Sequence, residues 1–136
     1  MIKKLFSSKA LKVDLASLVL RVTTGFFMAY GHGWPKVLKW DILIEKFSGP
    51  FGMPPSIALP LVIFAEVICS GLIIAGLFTR FAAIPNIIAM IVAAFYAHAG
   101  DPLIDREGSL TYLAAFIVIF FLGSGKYSLD KTFFKR

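Results

Sequence analysis

From Ile57 to Phe78 the chain runs for twenty-two residues with one charge, Glu66, and from Phe81 to Ala99 it runs for nineteen with none. A hydrocarbon core about 30 Å thick is crossed by about 20 apolar residues in a helix, so both runs are predicted membrane spans. A third, Leu15 to Gly31, lies within Asp14–Lys36 (DLASLVLRVTTGFFMAYGHGWPK) and holds Arg21 in its interior. A fourth, Ser109 to Leu122, is short for the core and is expected to begin earlier or to sit where the bilayer thins. Composition agrees, with 58% of residues hydrophobic and 16% charged, against about a quarter charged in soluble domains. The expected fold is all-α, an integral membrane four-helix bundle forming a single domain over 1–136, with spans at about 15–31, 57–78, 81–99 and 109–122.

The connectors read as interface chemistry. Lys36 to Phe47 mixes Val37, Trp40, Ile44 and Phe47 with Lys36, Lys39, Asp41 and Glu45. It is too short and too charged to span, and it suits a short helix in the headgroup region between helices 1 and 2, with Trp34 and Trp40 as anchors. Ser48 to Ser56 holds two glycines and three prolines, which end any helix. The basic start is expected to be retained ahead of a first spanning helix and not cleaved as a signal, because Arg21 interrupts the would-be apolar region and no convincing small-residue cleavage site follows.

Counting Lys and Arg orients the bundle. Nine lie on the side of the termini and the second connector, four lie on the other side, and Arg21 is inside. The excess predicts both termini in the cytoplasm. The net charge of +6 is spread over chain ends and connectors, a pattern that meets anionic headgroups, and nucleic-acid binding is not expected. Cys69 stands alone in an apolar run, which excludes CxxC chemistry and fits a small buried hydrophobe.

Polar groups inside the spans need partners, because an arginine at a span centre costs roughly 2.5–3.5 kcal/mol on insertion scales. On the first helix Arg21, Gly25, Met28 and His32 follow α-helical spacing as one stripe, and Gly25 would let a neighbouring helix come close. Glu66 is the expected partner of Arg21 in a buried ion pair. Such a pair reads either as structural or as marking a ligand or proton site. His32, Lys36, His98 and Glu107 gather at the opposite end of the bundle and are candidates for a pocket that handles protons. Without HExxH or CxxC spacing, no metal site is assigned. A carboxylate, a histidine and an apolar cleft suffice for a proton- or quinone-handling pocket.

In order and spacing, these residues resemble the DoxX family. The match runs through R-x3-G-x6-H-G-x2-K (Arg21, Gly25, His32, Gly33, Lys36), a G-x-P turn (Gly52, Pro54) and Glu66 in the second helix. It continues through G-L-x-T-R-x-A-A (Gly76 to Ala83), His98, and G-x-G-x-Y-S-L-D (Gly123 to Asp130). The resemblance equates Glu107 with the family's glutamate at the start of helix four. It implies a small four-helix bacterial inner-membrane protein. Family members are similar to the small membrane subunit linked to thiosulfate:quinone oxidoreductases and quinol oxidases, and others associate with thiol or superoxide detoxification proteins.

The leading expectation is thus a membrane subunit of a redox complex, itself non-catalytic or quinone-interacting. It would offer a quinone or other small apolar substrate a polar pocket lined by Arg21, His32, Glu66 and His98. The expected partners are the lipid bilayer, redox proteins and further copies of the chain; no cofactor is assigned beyond the candidate quinone. The alternatives are a small-molecule or ion permease coupled through Arg21–Glu66, and a membrane anchor or assembly factor in which that pair only fixes packing.

Overall fold

The computed structural model describes residues 2–135, which form helices and connecting turns without strands. After a short helix α1 (Ile2–Leu5), the first long rod α2 (Val13–Leu38) is followed by α3 (Trp40–Lys46). Then come α4 (Pro55–Ala75), α5 (Thr79–Ala97), α6 (Leu103–Leu122) and α7 (Leu129–Phe134). Helices α2, α4 and α5 are long and apolar enough to cross a membrane. The fourth rod, α6, has 20 residues, about 30 Å, and starts six residues ahead of the apolar run. Its first two turns carry Asp105, Arg106 and Glu107. It packs along α5 and completes the bundle.

Two boundaries differ from the apolar pattern for local reasons. α2 continues beyond Gly31 to Leu38 and breaks at Lys39, whose φ of −101° and ψ of 22° leave the helical region. The interfacial helix is therefore the shorter Trp40–Lys46, packed on the first half of α4. α4 stops at Ala75, three residues before the apolar run ends. There Gly76, at φ 70°, donates its N–H to the Ile73 carbonyl while Leu77 donates to Leu72. This left-handed C-terminal motif suits glycine, which has no Cβ to clash.

The core is narrow. Met28, Cys69, Ile73, Ala82, Ala83, Met90, Phe116 and Ile119 form one buried cluster. Alanines on α5 bring helices close, and Gly25 on α2 does the same: a Cβ there would lie 2.9 Å from the Ser70 carbonyl oxygen. Between α4 and α5, Ser70 Oγ donates to Asn86 Oδ1 at 3.4 Å, and both residues are fully buried. Small residues and interhelical hydrogen bonds of this kind hold helices together where lipid removes the hydrophobic drive. Phe26, Phe27, Tyr30, Phe81, Phe95 and Phe121 point outward. Such a girdle would be an aggregation surface in water and is ordinary against acyl chains.

α2, α4 and α5 each contain a π-helical stretch: Ala29–Gly33, Phe64–Cys69 and Ala93–Ala97. The first two are packed against each other. Wide turns of this type concentrate at functional sites, and the one in α2 lies just before Pro35, which has no N–H to continue the ladder.

Candidate functional site

Arg21 is wholly buried, and it is not beside Glu66. Its Nη1 donates to the carbonyls of Ile73 at 2.9 Å and Ile74 at 3.1 Å, and its Nη2 donates to the Tyr127 carbonyl at 2.7 Å. The guanidinium thus closes the C-terminal end of α4, where the helix dipole is negative, and ties it to the chain after α6. Glu66 lies seven residues before Ile73, about 10 Å along the helix. The expected Arg21–Glu66 pair is replaced because the planar fork finds three carbonyls within reach.

The tail that Arg21 holds is fixed at several other points. Ser17 Oγ donates to the Gly123 carbonyl at 2.9 Å, and Asp14 accepts from the Lys126 N–H at 2.9 Å. Asp130 accepts from the N–H groups of Phe78 and Thr79 at 2.7 and 3.2 Å, capping the start of α5 from 51 residues away. Gly76 sits under this clasp: a Cβ there would lie 2.5 Å from Ser128 Cβ and 2.7 Å from Arg21 Nη1. Gly76→Ala is therefore expected to destabilise by at least the roughly 1–2 kcal/mol of a left-handed non-glycine residue. Thermal melting in detergent, with proteolysis of the tail, checks this.

The second polar assembly is at mid-bundle, where the π-helical stretches of α2 and α4 meet. Lys36 Nζ donates to Glu66 Oε2 at 2.6 Å and to the His32 carbonyl at 3.1 Å. The Glu66 side chain is 5% exposed and that of Lys36 is 23% exposed. Gly33 makes this possible, since a Cβ on it would stand 3.0 Å from the Glu66 Cβ and 2.6 Å from Val67 Cγ2. The stripe predicted on α2 holds through Arg21, Gly25 and Met28, all buried, and then shifts. One extra residue in the wide turn rotates the remainder of the helix by about 100°. Gly33 takes the inward place predicted for His32, and Lys36 follows it one turn on. His32 instead is exposed, with its ring edge-on to Tyr112 of α6 at 5.2 Å between centroids.

His98 and Glu107 lie apart from this pair. His98 Nδ1 meets Asp101 Oδ2 at 2.9 Å in the partly exposed loop after α5. Glu107 is exposed on α6 beside a shallow apolar groove with Leu103, Ile104 and Leu110. Among the described residues, no three His, Cys, Asp or Glu side chains converge as a metal site. Arg106 joins α6 to the wide turn of α5, its Nε donating to the Ala94 carbonyl at 2.8 Å with the guanidinium over the Phe95 ring.

Of the candidates, then, Lys36 and Glu66 are joined and His32 contributes its carbonyl, while Arg21, His98 and Glu107 stand elsewhere. Glu66 and Lys36 retain unused capacity. Among the described residues the hydrogen bonding of the carboxylate goes through Oε2 alone, and the ammonium has two partners for three N–H groups. A donor and an acceptor stand side by side, the carboxylate buried and the ammonium partly exposed. Ser17, Tyr127 and Asp130 carry roles that their residue types do not announce, although Tyr127 and Asp130 belong to the G-x-G-x-Y-S-L-D stretch.

The DoxX family model matches residues 16–99, which include Arg21, Lys36, Glu66 and His98. A protein of Haemophilus influenzae, described only as uncharacterized, is 31% identical over 124 residues, covering 86% of this chain and 90% of its own length. No solved structure matches.

Proposed function

We propose, from the premise that the chain belongs to the DoxX family, that this integral membrane protein is the membrane subunit of a redox complex. In this reading it binds the polar head of a quinone at the Lys36–Glu66 pair. The observation that carries it is this pair's spare hydrogen-bonding capacity, set where the wide turns of α2 and α4 meet. Lys36 donates its third N–H to a quinone carbonyl oxygen, and Glu66 Oε1 accepts from a quinol hydroxyl. Bound here, the quinone would take two electrons from a partner redox protein and two protons. Glu66 is the group on this chain that holds and passes a proton at that oxygen. The proposed site has fewer residues than the four expected, because Arg21 and His98 are engaged elsewhere. The distribution of nine basic residues against four supports cytoplasmic termini in a bacterial inner membrane.

The test uses purified chain in nanodiscs, titrated with a short-chain quinone and followed by quenching of tryptophan fluorescence. Glu66→Gln is expected to weaken binding about tenfold, the size of one charge-assisted hydrogen bond, with its melting temperature measured alongside. Unchanged affinity in Glu66→Gln, or no quenching in the parent chain, would sink the reading. A non-catalytic anchor is the second reading, and it is favoured by Arg21, whose hydrogen bonds all go to backbone carbonyls.

A further inference from the structure

At the end of the bundle holding the termini, the turn after α6 and helix α7 leave an open cavity of about 1120 Å³ against the start of α5. Small-molecule sites run to about 300–1,000 Å³, so the space accommodates a sizeable group. Its walls divide by chemistry. Phe78, Phe81, Phe133 and Phe134 supply an aromatic side, with the Phe78 and Phe134 rings 5.6 Å apart. Arg80 and Lys126 supply a cationic one.

Arg80 is held in place. Its Nε donates to the Phe120 carbonyl at 3.0 Å, and its guanidinium lies against Gly123, where a Cβ would come within 3.0 Å of Nη2. That fixes the plane of the fork, and among the described residues no hydrogen bond uses Nη1 or Nη2. The ammonium of Lys126 stands 5.3 Å over the Tyr127 ring. The two carboxylates that also line the cavity are taken by backbone donors, Asp14 by Lys126 N–H and Asp130 by those of Phe78 and Thr79.

We propose that this cavity binds the phosphate headgroup of an anionic phospholipid from the leaflet facing the termini. A planar guanidinium with both terminal nitrogens open matches two phosphate oxygens, and Lys126 adds a second positive charge at the surface. A lipid fits better than a free phosphate because the cationic side adjoins aromatic surface at the end of membrane-spanning helices. Phe81 and Phe133, 76% and 64% exposed, give acyl chains a wall to lie on.

The experiment incorporates the full chain in nanodiscs of phosphatidylcholine doped with phosphatidylglycerol and reads retained lipid by native mass spectrometry. The parent chain is expected to retain phosphatidylglycerol in preference to phosphatidylcholine. Arg80→Lys keeps the charge and loses the fork, and should reduce the amount of phosphatidylglycerol retained about tenfold. Lys126→Gln should reduce it about fivefold, and Lys39→Gln at the far end should leave it unchanged. Melting in phosphatidylcholine alone separates lost binding from a lost fold. Lys126→Gln keeps the backbone bond to Asp14, so it decides the matter if Arg80→Lys is unstable. Equal retention of the two lipids, an equal effect of Lys39→Gln, or displacement of the lipid by millimolar inorganic phosphate would overturn the proposal.

Discussion

Replacing Arg21 with methionine is expected to release the C-terminal tail and to cost the bundle several kcal/mol. The side chain is fully buried and its three hydrogen bonds reach carbonyls on two separate elements. Ile73 keeps a second donor in Gly76, so its carbonyl survives the change. The part-buried Ile74 and Tyr127 carbonyls lose the side-chain donor that reaches them, at up to about 1–3 kcal/mol each. The loss also removes the link between α4 and the segment after α6, so the clasp through Ser17, Asp14 and Asp130 should loosen with it. A lowered melting temperature in detergent and rapid proteolysis beyond Gly123 are the readouts. Arg21→Lys should recover only part of the stability, because a single ammonium lacks the fork that spans two elements. A wild-type melting point with a protected tail in Arg21→Met would refute the role.

The second large effect separates the two ion-pair assignments. Glu66→Leu leaves Lys36 in an apolar setting without its carboxylate, and breaking a buried pair typically costs about 3–5 kcal/mol. Lys36 is partly exposed, which puts the expected loss at the lower end of that range. Lys36→Met with Glu66→Leu removes both charges, and stability should return close to the parent value, since a matched apolar pair is often neutral. The cycle should show clear coupling between positions 36 and 66. The corresponding cycle between 21 and 66 should be additive within about 0.5 kcal/mol, as expected for sites without shared partners. Strong coupling between 21 and 66 would restore the pairing inferred from the sequence. The double variant also divides the two functional readings: a stable bundle that no longer binds quinone supports a ligand site, whereas a stable bundle with quinone quenching unchanged from the parent supports an anchor.

Much of the architecture is legible in residue order. Long apolar runs predict the spanning helices, and Trp40 flags the interfacial helix, whereas Trp34 belongs to α2. Cys69 and Gly25 read as packing residues, and the close helix contacts around them agree. Helix ends are less legible. α4 stops at a left-handed glycine inside an apolar run, and hydropathy does not register backbone handedness. The length of α6 is hidden by Asp105, Arg106 and Glu107, which are helical despite being charged.

The residues of the candidate site are visible individually in the sequence, but their pairing is not. Arg21 and Glu66 stand out as charges in apolar runs, with Lys36 recognisable beside them. Sequence spacing alone therefore determined that ionisable groups sit inside this membrane protein and on which helices. Who meets whom depends on how the helices pack in three dimensions. A wide turn in α2 adds a residue that no amino-acid pattern announces, setting Gly33 against Glu66 and turning His32 off the predicted stripe to meet Tyr112 of α6. The partners of Arg21 are backbone carbonyls, which every residue has, so their selection depends on where helix ends and the tail come to rest in space.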